Sequence, residues 1–360
     1  MILAVGALAA AIARRAGMSA AVGQMIAGLM LGPSLLGLAA PQLFGWLFGN
    51  APAEPLAWLA RAGVALLMFH IGLEFDFAHL AHPRNQRTVA AVAVAALAVP
   101  FLAGLAFGRA AAPAVSPGID PWASALFVAT AFSITALPML GRILVELGLQ
   151  RTELGVIAVG AAAFNDVVGW ILLSIVSAFS SAPWSLAAAL VPFALGVALH
   201  RRAGLVAAWN RRVEPWVAAL FLPAYFAYTG LRTDAGSLEG AEAWAWCAAV
   251  IVVASAAKFG ATYAAARWSG LAPRAAAALG AMMNTRGLVE LVVLNIGYDL
   301  GLVSRPMFTM LVLMAVLSTA VTTPLLRRWM PGIVASAATG ATTSTAAAPG
   351  PPPAGGRASR

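Results

Sequence analysis

Long apolar runs alternate with short polar connectors from Met1 to about residue 327. A helix crosses a bilayer with roughly 17 to 25 apolar residues. Windows of about that kind lie at 1–13, 20–39, 56–78, 88–108, 121–144, 153–179, 184–200, 214–232, 242–266, 274–297 and 305–327, the first two being short. The chain is therefore predicted to be all-α and polytopic, with about eleven membrane helices over residues 1–330. Residues 331–360 are rich in Ala, Thr, Ser, Pro and Gly and lack aromatics, which predicts a disordered tail.

Two windows are interrupted at mid-depth. One reads Ala129-Thr130-Ala131-Phe132-Ser133-Ile134-Thr135-Ala136-Leu137-Pro138, the other Gly280-Ala281-Met282-Met283-Asn284-Thr285-Arg286-Gly287-Leu288-Val289-Glu290. Proline removes a backbone donor and clashes with the preceding turn, and glycine weakens a helix. Paired interrupted helices in two halves of a chain point to a transporter site, because they leave carbonyls and opposed helix termini at the midplane.

Charge tests this parse. Alternate connectors carry Arg14, Arg15, Arg84, Arg87, Arg142, Arg151, Arg201, Arg202, Arg211, Arg212, Arg267, Arg274, Arg327, Arg328, Arg357 and Arg360. The others hold only Arg109, Arg232 and Arg305, beside Glu54, Asp120, Asp234, Glu239, Glu242 and Asp299. By the positive-inside rule the N-terminus lies outside and the C-terminus in the cytoplasm. Helices 4–6 then start inside and helices 9–11 outside. Residues 88–179 and 242–327 are thus inverted three-helix repeats, flanked by the helices of 1–78 and 184–232.

Composition narrows the function classes. Hydrophobic residues make up 61% of the chain and charged residues 10%, against about 25% charged in soluble domains. The net charge of +9 comes from arginines between apolar runs, which suits the lipid bilayer and argues against nucleic acid. The single cysteine, Cys247, allows neither a disulfide framework nor a thiol metal site. No nucleophile–base or metal-ligand cluster suggests an enzyme, and no cofactor is expected.

The chemistry-bearing residues are those inside the membrane. Asp166, after Asn165, sits mid-way along 153–179, where an aspartate costs about 2.5 to 3.5 kcal/mol. It marks an ion or proton pathway, or it is a protonated acid bonded to a neighbouring helix. Lys258 is the only lysine of 22 basic residues and lies far from either end of its helix. A compact, deprotonatable amine at a site competes there with a snorkelling side chain. Arg286 and Glu290, four apart, share a helical face, either as a buried ion pair or with Glu290 as a ligand. His70, near Glu74 and Asp76, is a pH sensor or part of an interfacial polar cluster. The small residues from Gly23 to Gly37 suit close packing or a dimer face.

Together these runs resemble a family. Gly28–Gly37, Ser133–Pro138, Asn165-Asp166, Leu222-Pro223-Ala224-Tyr225-Phe226, Gly230–Asp234 and Asn284–Leu291 are similar to the monovalent cation:proton antiporters, in particular the plant-type cation/H⁺ exchangers. The resemblance implies a core of two inverted units with crossed broken helices that moves against a dimerisation scaffold, hence a homodimer. It implies that Asp166 transiently binds the monovalent cation, that Asn165, Thr130, Ser133 and Thr135 are polar positions of the ion site, and that Lys258 is its basic partner. Asn284, Arg286 and Glu290 are expected to hold the second break. Relatives with Asn-Asp at this place are typically electroneutral. The chain departs from relatives in having one apolar span between Trp184 and Trp216 where they have about three, and Gln24 where many carry glutamate.

The expected function is secondary active exchange of K⁺ or Na⁺ for H⁺ across the plasma membrane, with Asp166 carrying a proton or a cation but never both. The alternatives are a Na⁺-coupled organic-anion symporter, for which Arg286 is the only anion-binding candidate, and a transport-inactive membrane subunit.

Overall fold

The computed structural model describes residues 1–49, 53–74, 86–150, 152–177 and 184–329. The predicted tail 331–360 and Asp76 lie outside them. Within the described residues each predicted window is helical, several in two pieces. The chain opens with α1 (Ile2–Arg15), α2 (Ala20–Leu31), α3 (Pro41–Phe44) and α4 (Ala53–Glu74). Next come α5 (Gln86–Val115), α6 (Pro121–Ser133), α7 (Leu137–Glu146) and α8 (Glu153–Ser177). Then follow α9 (Trp184–Leu199), α10 (Ala203–Arg212), α11 (Glu214–Trp216) and α12 (Leu222–Arg232). The chain continues through α13 (Gly240–Trp268), α14 (Pro273–Met283), α15 (Leu288–Asp299) and α16 (Arg305–Trp329).

The span predicted over 20–39 ends its α-helix at Leu31. Gly32 is extended and Pro33, which has no N–H to donate, opens a wide π-helical turn to Gly37. A second such turn, Val217–Phe221, joins α11 to α12 and makes the predicted 214–232 span one helical run. The short α3 and α10 occupy connectors to which the hydrophobic pattern assigns nothing.

Among the described residues five stretches are long and apolar enough to cross a membrane: α5, α6–α7, α8, α13 and α16, joined by α14–α15 if that pair, bent by 42°, counts as one span. All belong to two units of the same build. Each unit has a long first helix (α5, α13), a broken second element (α6–α7, α14–α15) and a final helix (α8, α16). The first helices pack on one another, and each packs on the broken element of its own unit. The order of elements is the inverted repeat, and all four helix halves meet near its centre.

The small residues of α2 serve internal packing. A Cβ on Gly28 would fall 2.3 Å from the Phe226 carbonyl oxygen, and one on Gly32 2.0 Å from that of Gly230. Glycine here lets α2 and α12 touch backbone to backbone, in the manner of small-residue crossings between membrane helices. Gly72 and Gly196 do the same for α4 and α9.

Candidate functional site

The first break follows from its sequence. Asp120 starts α6 by accepting hydrogen bonds from the N–H groups of Trp122 (3.1 Å) and Ala123 (2.7 Å), with Pro121 at the first helical position. Pro138 lacks the N–H that would bond Ile134, and its ring would strike that carbonyl, so the helix cannot run through. Ile134 and Ala136 are extended instead, and α7 restarts at Leu137. At the second break α14 stops at Met283 and α15 begins after Gly287. The two unwound strands cross and bond each other, Ala136 N–H to Thr285 O at 3.2 Å and Thr135 Oγ1 to Met283 O at 3.3 Å.

A helix ending in apolar surroundings exposes its last four carbonyls, and the two breaks satisfy theirs by opposite means. At the end of α6, Thr130 O accepts from Ser133 Oγ (2.8 Å), while Ala131 O (2.7 Å) and Phe132 O (3.0 Å) accept from the Arg286 guanidinium. Ser133 O accepts from Lys258 Nζ. Two fully buried basic side chains therefore sit at the negative end of the α6 dipole. At the end of α14 the partners are neutral. Gly280 O and Ala281 O accept from Asn284 N–H, Met282 O from Thr285 Oγ1 (2.6 Å) and Met283 O from Thr135. Thr322 on α16 adds a 3.3 Å bond to Ala281 O.

Arg286 and Glu290 form an ion pair of 2.7 Å with both side chains fully buried. Arg286 is thereby committed to Glu290 and the α6 carbonyls, and its backbone N–H and carbonyl are both held by Thr319 Oγ1 at 2.9 Å. Lys258 lies within electrostatic range of Asp166, Arg286 and Glu290, but its hydrogen bond goes to the helix end.

Asn165 and Asp166 are different. They are 0% and 3% exposed, and neither the amide nor the carboxylate of this adjacent pair makes a hydrogen bond. Four polar atoms orphaned side by side are costly, at roughly 1 to 3 kcal/mol for each unsatisfied group. Buried polar groups in native proteins are almost always partnered. The pair sits against the first break: a Cβ on Gly169, one turn further along α8, would lie 2.9 Å from Ile134 Cγ1. The N–H of Leu137 at the positive end of α7 faces the carboxylate without reaching bonding geometry.

Thr130, Ser133 and Thr135, at the end of α6 and in the first break, are fully buried. Their hydroxyl protons go to Leu126 O (2.8 Å), Thr130 O and Met283 O. A hydroxyl has one proton and two lone pairs, so each keeps acceptor capacity for a cation. Asn284 Oδ1 also has no partner. The oxygen-rich inventory suits a hard cation. Among the described residues no group of three or more His, Cys, Asp and Glu side chains is arranged to hold a metal ion.

Sequence reasoning missed several polar groups. Thr319 and Thr322 are signalled by hydroxyls at helical spacing within apolar α16. Arg232, Asn295 and Asp299 join α12 to α15 through a network no local pattern announces. His70 accepts a 3.2 Å bond from Trp209 Nε1, an interhelical contact.

Comparison with known proteins follows the same lines. The family model for the transmembrane part of sodium/hydrogen exchangers matches residues 1–213 and 179–330. The two pieces overlap between 179 and 213, in the stretch that is short of apolar spans. A Na⁺/H⁺ antiporter of Synechocystis, NhaS4, is 31% identical over 86% of this chain and 90% of its own length. Cation/H⁺ antiporter 18 of Arabidopsis thaliana is 32% identical over 84% of the chain, which spans 45% of that longer protein. The K⁺/H⁺ antiporter 1 of Saccharomyces cerevisiae is 28% identical over 84% of the chain and 42% of its own length. Among solved structures, the sodium proton antiporter MjNhaP1 of Methanocaldococcus jannaschii superposes with a TM-score of 0.60 at 14% identity, covering 93% of this chain and 96% of that one, which shows a shared fold. With its inverted repeats and crossed breaks, this chain belongs to the sodium/hydrogen exchanger family.

Proposed function

We propose that the protein is a secondary active antiporter that exchanges K⁺ or Na⁺ for H⁺, electroneutrally, at a single carboxylate. The observation that carries this reading is the Asn165-Asp166 pair, buried beside crossed helix breaks with every side-chain polar atom unpartnered. A proton satisfies the carboxylate in one state and a cation in the other. Charge balance allows one or the other, so one site alternates loads. Asn165, Thr130, Ser133 and Thr135 contribute oxygens to the cation.

Lys258, Arg286 and Glu290 hold the frame in this reading. Two cations cap α6, one is balanced by Glu290, and Asp166 supplies the remaining negative charge when deprotonated. A monovalent cation at Asp166 replaces one proton, so the load carried each way has the same charge and no net charge crosses. The core units 88–179 and 242–327 move against the scaffold helices of 1–78 and 184–232 in the plasma membrane, with the C-terminus cytoplasmic. The homodimer built on that scaffold rests on the family resemblance.

The test uses purified protein in proteoliposomes carrying a pH-sensitive and a potential-sensitive dye. An imposed K⁺ or Na⁺ gradient is expected to drive protons the opposite way without a potential signal. Uptake of an organic anion with Na⁺ and no proton movement would replace this reading with symport, and a folded protein that moves nothing would make it a transport-inactive subunit.

A further inference from the structure

The scaffold and the core are joined at one face of the molecule by a polar network that the ion site does not use. Arg232, the last residue of α12, donates to Tyr228 Oη (3.1 Å), to Asn295 Oδ1 (3.0 Å) and to Asp299 on α15. Its guanidinium also lies over the Tyr298 ring at 4.8 Å and the Tyr228 ring at 5.2 Å, positions favourable for a cation. The Asn295 amide donates back to Tyr225 Oη (3.1 Å) and Thr229 Oγ1 (3.0 Å) on α12. Asn295 is thus held from both ends by the facing helix.

These contacts bridge helices that are otherwise packed elsewhere. The backbone of α12 lies against α2 and α4, and that of α15 against α16, α6, α7 and α9. Long side chains, not close backbone packing, connect the two. The network is graded outward: Asn295 is buried, Arg232 is 17% exposed and Asp299 is 42% exposed. Water can therefore compete for its outer half, which makes the contact breakable. At the opposite face Ser19 Oγ donates to Glu146 Oε1 at 3.1 Å. α15 is the continuation of the broken element that bonds the first break.

We propose that Arg232, Asn295 and Asp299 form a latch between scaffold and core that closes the Arg232 face in the present conformation and has to open in every cycle for Asp166 to reach that face. The proposal rests on the antiport reading above. Removing the latch shifts the conformational balance toward the state open at the Arg232 face, because only the closed state contains its bonds.

The experiment starts from a Cys247→Ser background. Its own antiport in proteoliposomes tests the antiport reading, so failure at this step and failure of the latch are distinguishable. Arg232→Cys and Asp299→Cys are combined and bridged with a short bifunctional methanethiosulfonate. The bridged protein is expected to lose antiport about tenfold or more, with recovery on reduction and no effect of the reagent on either single cysteine. Undiminished transport while bridged overturns the latch. Arg232→Ala gives a second reading without the double variant. The apparent KM for the cation added at the Arg232 face is expected to fall roughly threefold and that at the opposite face to rise, in vesicles of the two orientations. Equal KM values in wild type and Arg232→Ala on both faces would also overturn it.

Discussion

Asp166 and Lys258 are both ionisable groups buried in a membrane helix, yet their surroundings assign them different work. Lys258 and Arg286 complete the carbonyls at the end of α6, whereas the Asp166 carboxylate makes no hydrogen bond. Lys258→Met should therefore lower stability by about 1 to 3 kcal/mol through the carbonyl it strands, measured as a thermal shift in detergent. Glu290→Gln should cost more, about 3 to 5 kcal/mol, because it leaves the Arg286 guanidinium buried without its counter-charge. Replacing Arg286 and Glu290 together by methionine should be milder than Glu290→Gln alone, a comparison the same thermal measurement makes. Asp166→Asn has neither effect: an amide there strands nothing that was bonded, and folding should hold while transport stops. If one carboxyl takes proton and cation in turn, lowering the pH raises the apparent KM for the cation about tenfold per unit once the acid form dominates. A KM independent of pH would contradict competition at this group. The sequence could single out Asp166, Lys258, Arg286 and Glu290 because ionisable residues at mid-membrane are rare and expensive. It could not say which of them would be orphaned, since hydrogen-bond partners such as Ser133 O and Ala131 O come from a helix more than a hundred positions away.

The broken helices show where local sequence suffices and where it does not. Pro138 explains why α6 cannot continue into α7, and Gly287 marks the restart at α15, so both breaks were readable from residue types. The crossing of the breaks was not, because the Ala136–Thr285 and Thr135–Met283 bonds depend on how two distant elements dock. Thr319 belongs here too. It lies at nearly the same distance from the start of α16 as Asp166 does from the start of α8, and it clasps the backbone of Arg286 from both sides. The first unit thus places a carboxylate without hydrogen bonds beside its break, and the second a satisfied hydroxyl beside its own. Thr319→Val should cost about 1 to 3 kcal/mol for the stranded Arg286 N–H, and Thr319→Ser should retain most of the wild-type melting temperature. A loss in Thr319→Ser with none in Thr319→Val would mean that the methyl group, not the hydroxyl, matters at this position.

Topology ties these parts into one machine. The alternation of arginine-rich and arginine-poor connectors assigns residues to two faces, and the contacts respect it. Asp234 pairs with Arg305 at 3.4 Å, Ser34 donates to Thr233 O at 2.7 Å, and Ser116 donates to Ser304 at 3.1 Å, all between connectors or helix ends placed on the same side. Ser19 and Glu146 meet on the other. Apolar windows and charge bias were legible because the bilayer imposes them on every span. The short α3 and α10 and the wide turns after Gly32 and Trp216 were not, because none is set by a period in the sequence. Among the described residues the long apolar elements all fall in the two inverted units, whose breaks bond each other.

The central claim is that one carboxylate carries proton and cation alternately. Its most direct measurement is proton movement out of acidified everted vesicles on adding KCl or NaCl, comparing the wild type with Asp166→Ala at matched amounts of folded protein. The account predicts a cation-dependent proton flux in the wild type that vanishes in the variant. A flux of undiminished size in Asp166→Ala would contradict it.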